Sequence, residues 1–460
     1  FGPALVCIKG PAMIAGSAIE TMIAAEGERF AKAKPVSAEC ARRAVKHWHR
    51  GVPFHWMLDW GTPFPLFVKE AKGAHLWDVD GQAFDDFCLG DTGAMFGHSP
   101  PPIAEAIALQ SSRGLTAMLP GEDAVAVGDA LASMFGLPWW QVTSSASEAN
   151  RAVIRWCRGI TGRDKILVFN GCYHGAVDDV FVDLRDSVPE LRRSLVGQVY
   201  DVRDHTRVIE FNDRDALEAA LAPGDVAAVL TEPALTNVGM VLPQPGYLDA
   251  MRDLTRRFGT LLVFDETHTI STGLGGYSRT FGPSPDMFVL GKPVAGGVPA
   301  AVYGFTNEVA ERMERVRASG ESGHSGIGTT LSANPLARAA MRAALEQVMT
   351  PEAYDHMLPL AAQLEEQIRA VIRARGLGWH VTRVGARGEF ICADSAPGNG
   401  SEARAAMHGA LERAIHLFLI NRGILIAPFH NMTLVCPATT RVQVDRLVNA
   451  LDDCLQTLTG

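Results

Sequence analysis

The stretch TLLVFDETHTISTGLGGYSRTFGPSPDMFVLGK, residues 260–292, contains two short apolar runs that each end in a charged side chain. Asp265 closes the first run and Lys292 closes the second. Runs of the same kind occur at 165–170 (KILVFN), 226–233 (VAAVLTEP) and 300–305 (AAVYGF). Such runs are typical of strands buried on both faces, as in a mostly parallel sheet covered by helices. The pattern therefore predicts an α/β fold.

The rest of the chain predicts helices and a second, smaller sheet. Residues 246–258, GYLDAMRDLTRRF, have the pattern of a crossover helix between two strands. Residues 65–87 alternate apolar and polar side chains around two glycine turns, which predicts an antiparallel meander. We expect a large domain over 100–335 and a smaller α+β domain from both chain ends, 1–99 and 336–460. Further helices are predicted within 19–50, 332–375, 402–422 and 440–458, with short strands near 379–394.

Composition and charge exclude several classes of protein. The chain has 460 residues, of which 47% are apolar and 20% charged, as in ordinary globular proteins. Its formal net charge of −9 argues against nucleic-acid binding, which needs a basic face. No apolar stretch reaches the roughly 18 residues of a membrane span. The eight cysteines are scattered singly, so we expect reduced thiols and a cytoplasmic location.

Polar side chains end three of the predicted strands. Glu232 follows the run at 226, and Asp265 and Lys292 follow the next two runs. In open α/β sheets ligands bind beyond the carboxyl ends of the strands, so these residues are the first candidates for chemistry. A structural ion pair at the sheet edge would place the lysine and the aspartate in the same way, and these two residues alone leave both interpretations open.

A third segment favours the chemical interpretation. TSSASEANRAVIRW, residues 143–156, brings Ser144, Ser145, Ala146 and Ser147 to the start of a predicted helix, where backbone N–H groups can bind a phosphate. A plain serine N-cap is the alternative. A lysine, an aspartate and a phosphate cup together suggest pyridoxal phosphate. The lysine would form a Schiff base with it, and the carboxylate would keep its ring nitrogen protonated.

Seven motifs occur in the order typical of one enzyme family: the meander PLFVKEAKGAHLWDVDG, SSASEA (144–149), GCYHG (171–175), TEPALTN (231–237), FDETHT (264–269), LGKPVAGGVPAAVYG (290–304) and TTLSANPLA (329–337). The chain resembles the class-III pyridoxal-phosphate-dependent aminotransferases of fold type I. It is most similar to the branch that contains glutamate-1-semialdehyde aminomutase. The resemblance implies a mostly parallel seven-stranded sheet in the large domain and pyridoxal 5′-phosphate as the cofactor.

The resemblance also implies roles for single residues. Lys292 and Asp265 would be catalytic, Lys292 as the Schiff-base lysine and proton carrier and Asp265 as the partner of the pyridine nitrogen. Thr330, helped by Thr329, would reach the phosphate of the neighbouring subunit, which implies a homodimer with shared active sites. The cofactor-binding residues so implied are Ser145, Ala146, Ser147, Tyr173, His174, Glu232, Asn237, Asp265, Thr267, His268, Lys292, Thr329 and Thr330.

The chain departs from the family pattern near Asp265. Thr267 replaces the usual valine on one ring face, and His268 follows it. His268 could donate to the ring hydroxyl, or it could be a hydrogen-bonded histidine with no chemical role. The usual arginine of the following glycine-rich segment is absent. Arg279 and Arg387 could replace it as partners of a substrate carboxylate, although both are expected at the surface.

Two further groups of side chains carry open interpretations. Trp56, Met57 and Trp60 could line an apolar substrate pocket or belong to ordinary core packing. Three histidines, His47, His49 and His55, lack neighbouring cysteines or carboxylates at ligand spacing, so we expect no metal site.

These observations predict an aminotransferase. It would move an amino group from an amine or an ω/β-amino acid to a keto acid, through the Lys292 Schiff base and pyridoxamine phosphate. The alternative within the family is a 2,1-aminomutase of the glutamate-1-semialdehyde type. An NAD-linked oxidoreductase would need a G-x-G-x-x-G motif between its first strand and helix, which the chain lacks. The expected partners are the small-molecule donor and acceptor, with no nucleic acid and no membrane.

Overall fold

The computed structural model describes residues 14–320 and 326–460. Cys7 and the first part of the predicted N-terminal segment lie outside these ranges. The other cysteines are free thiols in the part that is described. Within the same ranges, no helix is both long enough and apolar enough to cross a bilayer.

The N-terminal part follows the predicted order of helices and meander. Pro35 takes the first position of the second helix. A backbone N–H at that position has no acceptor within the helix, so the missing N–H of proline costs no hydrogen bond. The three strands of the meander pair antiparallel in sequence order, as predicted. The elements are α1 (Gly16–Ala33), α2 (Pro35–Ala44), 3₁₀ turns at His49–Gly51 and His55–Leu58, β1 (Val68–Lys72), β2 (His75–Asp78) and β3 (Ala83–Asp86).

The central part of the chain alternates strands and helices. Its elements are α3 (Pro101–Ser111), α4 (Glu122–Phe135), β4 (Trp139–Thr143), α5 (Ala146–Thr161), β5 (Lys165–Phe169), β6 (Val182–Arg185), β7 (Val188–Leu191), β8 (Thr206–Ile209), α6 (Arg214–Leu221), β9 (Val226–Thr231), α7 (Tyr247–Arg257), β10 (Leu261–Asp265), α8 (Gly276–Thr280), β11 (Met287–Leu290), β12 (Ala301–Phe305) and α9 (Asn307–Ser319). Short 3₁₀ turns lie at Asp178–Val180, Val202–Asp204, Thr269–Thr272 and Lys292–Ala295.

Seven of these strands form the main sheet, in the order β4-β12-β11-β10-β9-β5-β8. The pairs from β11 through β10, β9 and β5 to β8 are parallel, whereas β12 runs antiparallel to both of its neighbours. The sequence therefore predicted a mostly parallel sheet correctly, and all five quoted apolar runs are strands in it. The small hairpin of β6 and β7 stands apart from this sheet.

Side chains of the central strands alternate between two helical layers. Val263 packs with the α5 cluster, whereas Leu262 and Phe264 pack with the cluster that includes α6 and α7. Because both faces of β10 are covered, its polar side chains are confined to the strand ends. This confinement brings the candidate residues to one edge of the sheet.

The C-terminal part combines helices with two small sheets. The two-residue strand β15 pairs in parallel with β3 and so joins the two chain ends, while β13, β14 and β16 form an antiparallel sheet. The boundaries of the two expected domains stay a prediction. The elements are α10 (Pro335–Gln347), α11 (Pro351–Ala374), β13 (His380–Val384), β14 (Arg387–Ile391), α12 (Gly400–Ala405), α13 (Gly409–Ile420), β15 (Ile424–Leu425), β16 (Met432–Leu434) and α14 (Arg441–Thr459).

Candidate active site

The ends of three neighbouring strands meet at one edge of the main sheet. β10 lies between β9 and β11 and is parallel to both. Glu232, Asp265 and Lys292 each stand at or just beyond the end of one of these strands. The predicted convergence of the acid and the lysine is therefore confirmed.

Asp265 is a buried carboxylate held by three donors. Its Oδ2 accepts hydrogen bonds from the side-chain amide of Asn150 at 2.9 Å and from Nδ1 of His174 at 3.0 Å. Its Oδ1 accepts one from the backbone N–H of Thr267 at 3.1 Å. Burial by itself raises the pKa of Asp265, but the hydrogen bond and charge of His174 outweigh it and lower the pKa to about 2. Asp265 is therefore an anion at neutral pH.

His174 carries the compensating positive charge. Burial tends to lower the pKa of His174, whereas the hydrogen bond to Asp265 raises it to about 10. The imidazolium donates from Nδ1 to Oδ2 of Asp265, and its buried Nε2 has no hydrogen-bond partner among the described residues. Oδ1 of Asp265 accepts only one hydrogen bond and can accept another.

Lys292 lies between an acid and a histidine. Its Nζ is 2.7 Å from Oδ2 of Asp91 and also contacts Nε2 of His268. The pKa of His268 lies well below its usual value because burial disfavours the charged ring, and the positive charges of Lys292 and Arg387 oppose protonation further. The neutral ring accepts at Nε2 from the lysine ammonium. His268 therefore contacts Nζ of Lys292 directly, and its role toward the ring hydroxyl stays a prediction.

The hydrogen bonds continue from His268 to a buried acid. With Nε2 accepting, Nδ1 of His268 carries the proton and donates to Oγ1 of Thr236 at 2.6 Å. The Thr236 hydroxyl in turn donates to Glu232, which also accepts from the side-chain amide of Asn237 at 2.9 Å. Burial raises the pKa of Glu232. The relay fixes the tautomer and the orientation of His268.

Thr267 ties the ends of β10 and β11 together. Its backbone N–H bonds Asp265, and its Oγ1 accepts a hydrogen bond from the backbone N–H of Gly291 at 3.1 Å. Gly291 directly precedes Lys292. The valine typical of this position in the family could not accept that bond, so the threonine fastens the lysine segment to β10.

The first turn of α5 has the features of a phosphate site. Ser145 caps the helix by accepting from the backbone N–H of Glu148 at 3.2 Å, and Ser147 Oγ accepts from the backbone N–H of Ala176 at 2.9 Å. The N–H groups of Ala146 and Ser147 have no partner within the helix. Ser144 Oγ is buried with no hydrogen-bond partner in the described ranges. These donors at a positive helix end suit a phosphate dianion.

Family and structural comparisons agree with this geometry. The model of the family "Aminotransferase class-III" matches residues 57–455. The chain belongs to the class-III aminotransferases. It is an enzyme of that class with the fold type I architecture, and pyridoxal 5′-phosphate is its cofactor.

Three similar proteins illustrate the range of the family. A glutamate-1-semialdehyde 2,1-aminomutase of Desulfitobacterium hafniense is 32% identical over 406 residues, which cover 86% of this chain and 91% of the relative. The crystal structure of a glutamate-1-semialdehyde-aminomutase from Pseudomonas aeruginosa PAO1 is 50% identical, with a TM-score of 0.95 over 97% of this chain and 99% of that one. A β-phenylalanine aminotransferase from Variovorax paradoxus is 26% identical, with a TM-score of 0.84 over 95% and 97% of the two chains.

The strand-end residues of this class-III aminotransferase fit the cofactor. Asp265 is ionised and keeps room on Oδ1 for the protonated ring nitrogen. Ser144 Oγ and the free amides of α5 would hold the phosphate. Lys292 brings a primary amine to the same edge. Within residues 14–320 and 326–460, no group of histidines, cysteines and acids has the arrangement of a metal centre.

Thr329 and Thr330 lie outside the cluster around Lys292. Both are exposed and line a cavity of about 480 Å³ with Leu119, Trp140 and other residues, but not with Lys292. Ser332 links this segment to the first turn of α5, because its Oγ accepts from the backbone N–H of Thr329 at 2.9 Å and donates to Oε1 of Glu148 at 3.0 Å. The cross-subunit role of the two threonines stays a prediction.

The aromatic segment before the meander splits into two environments. Trp60 packs against the cluster that contains Phe30 and Phe84, as ordinary core packing predicts. Trp56 is exposed and lies 6.0 Å from the ring of Phe54. Tyr173 is also half exposed, and its stacking role stays a prediction.

The surface position expected for Arg387 is wrong. Its side chain is completely buried, contacts the hydroxyl of Thr92 and lies 3.5 Å from Oδ1 of Asp91. Charged residues alternate at the start of β14, a pattern that usually marks a solvent face, but this face is covered by the loop after β3. Arg279 is exposed, as expected.

Sequence reasoning also missed Asp91, Asn150 and Thr236. Asn150 follows Ala146 by four residues in the helix, which was a usable signal because residues at that spacing share a face. Thr236 lies within the quoted TEPALTN string. Asp91 stands in an irregular loop, and no local pattern marks it.

Proposed function

We propose that this enzyme is a 2,1-aminomutase of the glutamate-1-semialdehyde type. The single observation that carries the proposal is the 50% identity to the Pseudomonas aeruginosa aminomutase over 97% of the chain. The curated relatives of the same name, 31–34% identical, support it. The transamination of amines or ω/β-amino acids expected from Thr267 and His268 is thus less well supported than the alternative.

The side chains at the sheet edge suit a migration of an amino group between adjacent carbons. Bound pyridoxal phosphate supplies an aldehyde that condenses with amines and a ring that stabilises negative charge on the neighbouring carbon. Lys292 Nζ would be the base for that carbon, and because C1 and C2 of the substrate are adjacent, one base can serve both. Asp265 keeps the proton on the ring nitrogen.

Neighbouring groups prepare Lys292 and the cofactor site for these roles. Neutral His268 accepts at Nε2 from the lysine ammonium and so orients the amine. Thr236 and Glu232 keep the ring of His268 oriented. Ser145, Ala146 and Ser147 hold the phosphate, Tyr173 covers one ring face and Thr267 the other.

We also propose a homodimer in which Thr330 and Thr329 reach the phosphate of the neighbouring subunit. The cavity that these threonines line is bordered by Met118 and Leu119, which are 80% and 70% exposed. Large exposed apolar side chains around a cavity support a covered interface. A second copy of the chain would bury them.

A second function is favoured by one structural neighbour. The β-phenylalanine aminotransferase shares the fold at a TM-score of 0.84, and its name denotes transfer from a β-amino acid. In such a transamination an amine donor leaves as an oxo product and a keto acid then collects the amino group. A mutase instead returns both functional groups in one isomerised molecule.

The distribution of products separates the two functions. Stoichiometric holoenzyme is mixed with glutamate-1-semialdehyde or with a panel of β- and ω-amino acids, no keto acid is added, and all products are quantified. We expect glutamate-1-semialdehyde to be converted to its amino-ketone isomer. No deaminated oxo product should be released. Lys292→Ala serves as the inactive control, because it lacks the base. Stoichiometric release of oxo product from the panel, with no isomerisation, would reject the aminomutase proposal.

A further inference from the structure

Arg387 is a buried arginine whose hydrogen bonds are incomplete. Its side chain is fully buried, yet Nε and Nη1 have no hydrogen-bond partner in the described part of the chain. Only Nη2 is engaged, with Thr92 Oγ1 and with Oδ1 of Asp91 at 3.5 Å. A buried guanidinium with free donors is costly unless a ligand completes its bonds.

Among the described residues, Asp91 is the acid that forms an ion pair with Arg387. Glu389 follows Arg387 by two residues on the same face of β14, but its Oε1 lies 2.8 Å from Nδ1 of His430. Burial tends to lower the pKa of His430, and Glu389 outweighs this effect and raises it. Glu389 therefore pairs with His430 through Oε1, its buried Oε2 has no hydrogen-bond partner in the described residues, and Asp91 is the carboxylate within ion-pair distance of Arg387.

Asp91 is shared by two cations. One oxygen lies 2.7 Å from Nζ of Lys292 and the other 3.5 Å from Nη2 of Arg387. Burial tends to raise the pKa of Asp91, but the positive charges of Lys292 and Arg387 hold it well below the usual value, so Asp91 is an anion. One negative charge against two positive charges leaves one cation of this cluster without a carboxylate.

We propose that Arg387 binds the carboxylate of the substrate and that Asp91 is its counter-ion in the free enzyme, displaced from Arg387 when the substrate enters. A single carboxylate bridges Lys292 and Arg387, so the substrate carboxylate lies a short aliphatic chain from the reacting carbon. This inference rests on the proposed function, because glutamate-1-semialdehyde carries such a carboxylate at C5. Arg387 thus takes the place of the arginine that is missing after β10.

A non-reactive probe tests the pair independently of turnover. The dissociation constant of pentanoate for the holoenzyme is measured by ligand-observed NMR, with pentanamide as the uncharged analogue. We expect Arg387→Gln to weaken pentanoate about tenfold or more, because a charge-assisted pair is lost. Asp91→Asn should tighten pentanoate severalfold, because the competing anion is gone. The exposed Arg279→Gln is the matched control and should change nothing.

Every outcome bears on the inference. Unchanged pentanoate binding in Arg387→Gln, or weaker binding in Asp91→Asn, would overturn it, as would an equal loss of pentanamide. If circular dichroism shows that Arg387→Gln does not fold, the pentanoate dissociation constants of Arg387→Lys and Asp91→Asn test the inference instead. The product assay distinguishes the two proposals, since Arg387-dependent pentanoate binding without isomerisation rejects the aminomutase and keeps the carboxylate site. Isomerisation together with pentanoate binding that does not depend on Arg387 keeps the aminomutase and rejects the carboxylate site.

Discussion

At the scale of single residues, the proposed role of Asp265 toward the ring nitrogen depends on its negative charge. Asp265 is buried, accepts from Asn150, His174 and Thr267, and has a pKa of about 2. An amide in its place can neither carry the negative charge nor keep a proton on the ring nitrogen. The loss is electrostatic, because aspartate and asparagine have nearly the same shape.

We therefore expect Asp265→Asn to lower kcat by orders of magnitude while the fold is retained. Steady-state rates and circular dichroism measure the two effects, and Asp253→Asn, the same exchange at an exposed position of α7, controls for the substitution itself. A near-normal kcat in Asp265→Asn would remove the proposed role of the carboxylate.

The same variant has a signature in the pH dependence of stability. In the folded chain the pKa of His174 is raised from 6.5 to about 10, so its stabilisation is complete below about pH 6.5 and is lost as pH rises through 10. The pKa of Asp265 is lowered from 3.8 to about 2, so its stabilisation is present above about pH 4 and is lost as pH falls through 2. The free energy of unfolding of the cofactor-free enzyme, measured in urea, should fall between pH 6.5 and 9. The fall should be smaller in Asp265→Asn. Equal slopes would contradict the pairing.

At the scale of elements, the first turn of α5 and the GCYHG segment (171–175) interlock. Gly175 has a φ of +86° and lies directly against Ser147, so a Cβ there would meet Ser147 Oγ and stand 2.8 Å from its Cα. The N–H of Ala176 holds the same hydroxyl at 2.9 Å. The position of the α5 first turn therefore depends on the absence of a side chain at Gly175.

Gly175→Ala should weaken cofactor binding about tenfold, because Ser147 must move from the phosphate site. Gly162→Ala is the matched control: Gly162 ends α5 with a φ of +68° and has open space around its Cβ position. Both variants carry a backbone strain of about 1 kcal/mol, but only the first disturbs the loop. Absorbance titration of the cofactor-free enzyme gives the dissociation constants, and equal values for the two variants would contradict the interlock.

Element positions were the most predictable part of the fold. The runs ending at Asp265 and Lys292 are strands because apolar side chains on both faces can be buried between helical layers. Pro35 starts a helix for the local reason that a first-turn residue needs no N–H. The sequence alone did not establish the two-residue β15, because so short a strand depends on its pairing with β3.

At the scale of the whole molecule, the proposed homodimer has a direct test. Thr330 is exposed beside Met118 and Leu119 at the cavity described above. If a second copy covers this surface, Thr330 reaches the partner's phosphate with a charge-assisted hydrogen bond worth about 1.5–3 kcal/mol. Cofactor retention would then depend on dimer formation.

We expect a dimer in sedimentation and about tenfold weaker cofactor binding in Thr330→Ala. Thr457→Ala, at an exposed position of α14, is the control and should bind the cofactor normally. A monomer with full activity would contradict the shared active site, and so would unchanged retention in Thr330→Ala within an intact dimer.

The sequence by itself determined the strands, the strand-end positions of the lysine and the aspartate, and the family, because each depends on a local pattern of side chains. Only the tertiary structure decided the environment of Lys292. Asp91 lies 201 positions from Lys292 along the chain, and Thr92 lies 295 positions from Arg387. Whether a charge such as Arg387 is solvated or buried depends on which elements cover it, and local propensity carries no information about that covering layer.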